Sequence, residues 1–79
     1  MQTIDFSELK KGMQARISAL PPQSDEVKRF QEMGLVAGTE FKVIKIAPMG
    51  DPIEIDLRGY RLCLRKQEMS GFEVEVLGN

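Results

Sequence analysis

Apolar and polar residues alternate one by one along several stretches of the chain, a pattern typical of strands that bury one face. The stretches are residues 13–20, 53–57, 60–64 and 72–77. A further apolar stretch, residues 38–47, changes phase, because Phe41 and Val43 face one way while Ile44 and Ile46 face the other. Such a change predicts a strand buried on both sides or a β-bulge. The pattern therefore predicts about five strands.

One short helix is predicted at residues 24–35, between the first and second of these strands. Ser24 can cap its first turn, and Asp and Glu follow at the positive end of the helix dipole. Gly34 stands where a left-handed residue closes a helix. A single helical turn is also expected at residues 7–12, with Ser7 as its cap.

The two strands around Arg58 and Gly59 predict a β-hairpin. A two-residue turn there would pair apolar with apolar and acidic with basic residues, which supports that register. The predicted pairs are Leu57 with Tyr60, Asp56 with Arg61, and Ile55 with Leu62. Tyr60 then falls on the apolar face, so we expect it in the core. Arginine is not favoured at the first position of such a turn, which leaves a bulged variant open.

Short connections join these strands, and a small strand set protects its edges best by curling into a closed or nearly closed barrel. We therefore predict a mainly β fold, a small SH3-like barrel of about five strands with one short inserted helix. With 79 residues, the chain has room for one domain, expected to span residues 1–79.

Composition adds bounds on location and partners. The net charge of −1 exerts no general attraction toward nucleic acid or anionic lipid. One cysteine cannot form an internal disulfide, so the fold does not depend on an oxidising compartment. The N-terminal residues lack the basic and apolar regions of a signal peptide, and no apolar run reaches membrane-spanning length. We expect a cytoplasmic domain.

The residue inventory argues against catalysis and against a metal site. The sequence contains no histidine, the commonest general base and a usual ligand of zinc and ferrous iron. Cys63 has no second thiol or imidazole to complete such a site. Carboxylates such as Glu73 and Glu75 are expected on exposed strand faces, where they act as solubilising charge. We predict no catalytic residue, no metal ligand and no cofactor.

The segment "PMGDP", residues 48–52, raises the question of phosphate binding. It lacks the lysine of a P-loop, its two prolines offer no amide hydrogen, and Asp51 would repel phosphate. Its composition instead predicts a tight turn between strands. Met49 is unusual at a loop tip, and two interpretations remain open: a contact for a partner, or a plug that seals one end of the barrel.

The segment "RGYRLCLRK", residues 58–66, carries four positive charges and could be read as a nucleic-acid-binding patch. Aromatic residues for base stacking are few, and Glu54 and Asp56 should balance part of the charge across the hairpin. Nucleic-acid binding by a small barrel is therefore kept as the alternative function. Under the favoured interpretation, no nucleic acid is expected as a partner.

Residues 30–68 resemble the FeoA family of small cytosolic proteins of bacterial ferrous-iron uptake, which have an SH3-like fold. The similar segments are residues 33–35 ("MGL") ahead of 38–39 ("GT"), then 47–53 ("APMGDPI"), 58–60 ("RGY") and 62–65 ("LCLR"). The family varies at the position of Cys63. The resemblance implies an accessory role beside the membrane-embedded, GTP-hydrolysing iron transporter FeoB, without implying that this chain binds iron or GTP.

The resulting functional hypothesis is a non-enzymatic accessory or regulatory protein of ferrous-iron transport. It would dock on the cytosolic GTP-binding part of a FeoB-type transporter and meet the membrane only through that partner. An open sheet edge could also pair two copies of the chain. The candidate partner contacts are Pro48, Met49, Gly50, Asp51, Pro52, Arg58, Arg61 and Arg65.

Overall fold

The computed structural model describes residues 2–78 and is mainly β, as predicted. It contains one α-helix, one 3₁₀ helix at Phe6–Glu8 and six strands. The α-helix, α1, is Asp25–Glu32. The strands are β1 (Gln2–Asp5), β2 (Gln14–Ala19), β3 (Glu40–Ile46), β4 (Ile53–Leu57), β5 (Tyr60–Leu64) and β6 (Glu73–Gly78).

The six strands form one antiparallel sheet in the order β1-β6-β2-β3-β4-β5. Buried side chains from five of the strands belong to a single apolar cluster, and β1 adds the partly buried Ile4 to it. The sheet therefore wraps around one core. Two strands, β1 and β5, remain at its hydrogen-bonding edges.

Strand β1 exceeds the predicted count of about five. Its four residues carry no clear alternation, and the strand exists because it pairs with β6, for example Ile4 with Val74. The helical turn that follows also begins earlier than expected. Its cap is Asp5, whose carboxylate accepts hydrogen bonds from the amide and hydroxyl of Ser7 at 3.0 and 2.6 Å. Ser7 is thus a donor inside the turn and not its cap.

Helix α1 begins and ends as its sequence predicts. The Ser24 hydroxyl oxygen accepts a hydrogen bond from the Val27 amide at 3.1 Å. Gly34 has φ +105°, and the Leu35 amide donates to the Phe30 carbonyl at 3.0 Å. The left-handed Gly34 and the bond from Leu35 belong to a Schellman closure, in which amides beyond the helix donate to its last carbonyls. Leu35 is fully buried against the core.

The phase change in the third strand is a bulge. Val43 pairs with Ile55 and Lys45 pairs with Glu54, so Ile44 is the extra residue of β3. The β4–β5 hairpin has the predicted register, with Leu57 opposite Tyr60 and Ile55 opposite Leu62. Arg58 and Gly59 have φ values of +53° and +95°, so the turn is of the primed type and not a bulged variant.

The prediction that Tyr60 belongs to the core is wrong. Its side chain is 52% exposed, and its hydroxyl donates a 3.0 Å hydrogen bond to the carbonyl of Met33. Tyr60 stands at the start of an edge strand beside the turn, where no further strand flanks it. The residue therefore lies over the C-terminal end of α1.

The core is built from aliphatic and aromatic side chains that are nearly inaccessible to solvent. Phe30 meets Phe72 edge to face, with ring centroids 6.0 Å apart. Met69, in the turn between β5 and β6, is also fully buried. Among residues 2–78, no helix is long and apolar enough to cross a membrane.

Candidate functional site

The 48–52 loop connects β3 to β4 and is closed by its own backbone. The Ala47 amide donates to the Pro52 carbonyl at 3.1 Å, and the Gly50 amide donates to the Ala47 carbonyl at 2.7 Å. Gly50 has φ +91°, a conformation that side chains disfavour. The loop is thus the tight turn that its composition predicts.

A second set of contacts braces the loop against the turn that follows β5. The Asp51 carboxylate accepts a 2.8 Å hydrogen bond from the Lys66 amide. A Cβ on Gly50 would lie 3.5 Å from the ammonium nitrogen of Lys66, so that side chain passes close to the loop backbone. Asp51 is therefore engaged inside the molecule, and the loop is held from two sides.

Met49 stands at the tip of this braced loop and is 93% exposed. The interpretation of Met49 as a plug over the barrel is therefore wrong. The exposed Met49 side chain contributes almost no buried apolar area to this fold. A partner that covered it would remove that apolar area from solvent. The loop thus presents one large, flexible apolar side chain on a restrained backbone.

The three candidate arginines do not gather around the loop. Leu64 pairs with Ile53, so Arg65 follows directly beside the loop's C-terminal end. Arg58 lies in the turn at the opposite end of the hairpin, about 16 Å away at the usual rise along a strand. Arg61 lies between them and contacts Glu54 at 3.0 Å and Asp56 at 3.7 Å.

Lys66 also lies beside the 48–52 loop and was not among the predicted contacts. Its amide restrains Asp51, and its ammonium group adds a positive charge beside the loop. A shallow groove on the same side is lined by Lys45, Ala47, Pro52, Glu54 and Cys63. The position of Lys66 beside the loop could have been predicted from the "RK" pair directly after β5. The predicted hairpin register brings that end of β5 next to the start of β4.

The structure offers no assembled metal-binding cluster in residues 2–78, where no three His, Cys, Asp or Glu side chains are grouped to hold an ion. Cys63 is exposed on β5, opposite Glu54. A different charged group ties the sheet together: Arg16 contacts Glu75 at 2.8 Å and Glu40 at 3.4 Å. The hydrogen bonds that Arg16 donates to the Glu75 carboxylate raise the pKa of Arg16 above its ordinary value.

Two solved structures illustrate what the fold is similar to. A FeoA-like protein from Clostridium acetobutylicum is 38% identical, with a TM-score of 0.86 over 100% of this chain and 92% of that one. A zinc complex of FeoA from Stenotrophomonas maltophilia, described as a prokaryotic SH3 domain protein, is 25% identical, with a TM-score of 0.70 over 95% and 91% of the two chains. The predicted SH3-like fold class is confirmed.

Sequence comparison gives the same assignment. A fusion protein of Fe(2+) transport protein A with the Fe(2+) transporter FeoB, from Porphyromonas gingivalis, is 34% identical over 74 residues. That match covers 94% of this chain and only 9% of the longer relative. The model of the FeoA domain matches residues 5–76. The resemblance seen in the sequence is thereby confirmed, and the chain belongs to the FeoA family.

Proposed function

We propose that this chain is a non-enzymatic accessory module of ferrous-iron transport, acting in the cytoplasm as a single domain. Its partner is the cytosolic GTP-binding part of a FeoB-type membrane transporter, and it reaches the membrane only through that partner. The contact surface is the 48–52 loop, with Arg65 and Lys66 beside it. Arg58 and Arg61 extend the basic surface along the hairpin.

The observation that carries this proposal is the exposure of Met49 on a loop whose backbone is already restrained. Ordering a loop during association costs free energy, and a loop held in its final shape avoids much of that cost. Two hydrogen bonds close this loop, and the bond from the Lys66 amide to Asp51 fixes it to the next turn. The one exposed apolar side chain at its tip can then add buried area on docking.

Family membership and gene fusion support the choice of partner. In the relative from P. gingivalis, the FeoA and FeoB parts are named as one fusion protein. Domains joined in one chain are held at high effective concentration, which favours a weak contact between them. The same contact between separate chains would have to rely on the docking surface alone.

Nucleic-acid binding is less well supported by the charge distribution. Arg61 contacts two carboxylates, and the sequence has a net charge of −1. A binder that neutralises several phosphates should lose affinity steeply as salt increases. The salt dependence of any observed RNA or DNA binding would therefore show whether the chain neutralises several phosphates.

The test is a pull-down with the full chain as bait and three preys: the intact transporter in detergent, its isolated cytosolic domain, and an unrelated membrane GTPase. We expect retention of the first two and no retention of the third. Retention of the intact transporter without its cytosolic domain would move the contact to the membrane-embedded part. Retention of neither would overturn the proposal.

A further inference from the structure

Strand β5 ends the sheet, and half of its backbone groups point away from it. Leu57 and Tyr60 flank a two-residue turn, so they form a hydrogen-bonded pair, and such pairs alternate along an antiparallel ladder. Leu62 and Leu64 therefore also bond to β4. The amides and carbonyls of Arg61 and Cys63 are left on the outer edge, where no further strand of residues 2–78 pairs with β5 and no backbone bond from a turn or loop takes them up.

This edge is accessible. Tyr60, Arg61 and Cys63 are exposed, and Leu62 is half-buried. At one end, Tyr60 holds the carbonyl of Met33 through its hydroxyl and presents the rest of its ring to solvent. A strand laid along β5 would have its alternate side chains on two different surfaces: one beside Tyr60 and Leu62, the other beside Arg61 and Cys63.

Charge selects the kind of strand that fits. Arg58, Arg61, Arg65 and Lys66 lie along or at the ends of β5 and give it four positive charges. Glu54 and Asp56 offset Arg61, whereas Arg58 and Arg65 make no ion pair within 4.0 Å among residues 2–78. Two copies of β5 placed edge to edge would bring these like charges together, which disfavours self-pairing.

We propose that the edge of β5 binds an extended, acidic segment of a partner protein by strand addition. Main-chain hydrogen bonds to Arg61 and Cys63 hold the segment, its carboxylates face the arginines, and its intervening apolar residues cover Tyr60 and Leu62. This surface is separate from the tip of the 48–52 loop. The inference goes beyond the proposed transporter partner and does not require Met49 to be a contact.

The probe is a capped synthetic peptide of about eight residues, the length of a long strand, that alternates glutamate with valine. It is added to the full isotope-labelled chain, and amide exchange and chemical shifts are followed by NMR. We expect the amides of Arg61 and Cys63 to exchange freely without peptide and to become protected with it. A matched peptide with lysine in place of glutamate should bind at least about tenfold more weakly.

Two variants at one position test whether the backbone of the edge is used. Cys63→Pro removes an outward-facing amide hydrogen and fixes φ, a change that edge strands tolerate, whereas Cys63→Ser keeps the amide. The serine variant should bind the glutamate peptide like the parent, and the proline variant should bind at least about tenfold more weakly. If the proline variant does not fold, Arg65→Glu provides the second test and should weaken binding of the glutamate peptide.

Four results would overturn the proposal. One is the absence of protection at Arg61 and Cys63 with millimolar glutamate peptide, and another is equal binding of the lysine peptide. A third is full binding by a folded Cys63→Pro variant. The fourth is protection of these amides in the free chain, which would show a second copy already on the edge. None of these results bears on retention of the transporter, so the two proposals fail separately.

Discussion

The carboxylate of Asp51 accepts a 2.8 Å hydrogen bond from the backbone amide of Lys66, fifteen positions along the chain. This bond connects the loop before β4 to the turn after β5, two segments that the hairpin brings side by side. Asp51 was named from the sequence as a candidate partner contact, and here its carboxylate accepts a hydrogen bond within the molecule. The 48–52 loop is consequently a braced structure.

Replacing Asp51 should loosen that brace. Asp51→Ala leaves the partly buried Lys66 amide without its acceptor, so we expect a loss of about 1–2 kcal/mol in the free energy of unfolding. Asp51→Asn is the matched control, since it keeps an acceptor oxygen, and should lose less. Urea denaturation measures both, and exchange of the Lys66 amide should accelerate only in the alanine variant. Equal stability of the alanine variant and the parent would contradict the assignment.

A comparison of Gly34 with Gly38 separates the backbone cost of a side chain at positive φ from the steric cost of a close neighbour. Both have positive φ, +105° and +92°, so alanine should cost on the order of 1 kcal/mol at either position. A Cβ at Gly34 would also lie 3.2 Å from a methyl carbon of Leu57, whereas nothing lies within 4 Å of one at Gly38. Thermal or urea unfolding should therefore show Gly34→Ala as the less stable variant. Equal stability of the two variants would mean that Leu57 moves aside freely, and the reverse order would contradict a cost from this contact.

Asp5 gives the fold a defined dependence on acid. Hydrogen bonds from the Ser7 hydroxyl and amide lower the pKa of this carboxyl below its ordinary value of 3.8. A lowered folded-state pKa stabilises the native state above the unfolded-state pKa, and the contribution disappears as pH falls through the folded value. The stability difference between the parent and Asp5→Asn should therefore be constant near neutral pH and change only below about pH 4.

The carboxyl of Asp5 can be followed directly by NMR titration of its side-chain carbon. Because Asp5 is partly exposed and solvent screens its charge, we expect a small effect on stability, so the pH dependence of the effect is more informative than its size. A titration midpoint above 3.8 in the folded chain would contradict the capping role.

Ferrous iron should not bind the isolated chain tightly. The sequence has no histidine and one cysteine, and residues 2–78 contain no grouped set of metal ligands. Anaerobic equilibrium dialysis should show no stoichiometric binding at micromolar Fe(II). A Cys63→Ala variant serves as the control for weak thiol binding. Stoichiometric binding at that concentration would require a site shared between chains or a ligand set outside the described residues.

The hairpin and the helix were predictable because short-range rules determine them. The register of β4 and β5 follows from alternation around a two-residue turn, and the end of α1 follows from Gly34 in the left-handed conformation. Nearest neighbours in sequence supply all of this information. The bulge at Ile44 also left a trace, as a change of phase.

Residues whose environment depends on distant segments were harder to predict. Strand β1 forms by pairing with β6 at the other end of the chain. Tyr60 has the right alternation for the core, yet the end of an edge strand leaves it half in solvent. The exposure of Met49 and the hydrogen bond at Asp51 both depend on how the 48–52 loop lies against the turn after β5. The sequence could therefore raise the loop as a candidate without deciding between plug and contact.

The most direct test of Met49 as a docking contact is the affinity of a Met49→Asp variant for the cytosolic domain of the transporter. Titration calorimetry measures this affinity, and the melting temperature of the variant is measured beside it. Met49→Gln, similar in shape but polar, distinguishes loss of apolar area from added charge, and Val36→Asp places the same charge at another exposed apolar residue. We expect at least about tenfold weaker binding for Met49→Asp, with a stability change within about 0.5 kcal/mol. Full affinity in a normally folded Met49→Asp variant would contradict the account.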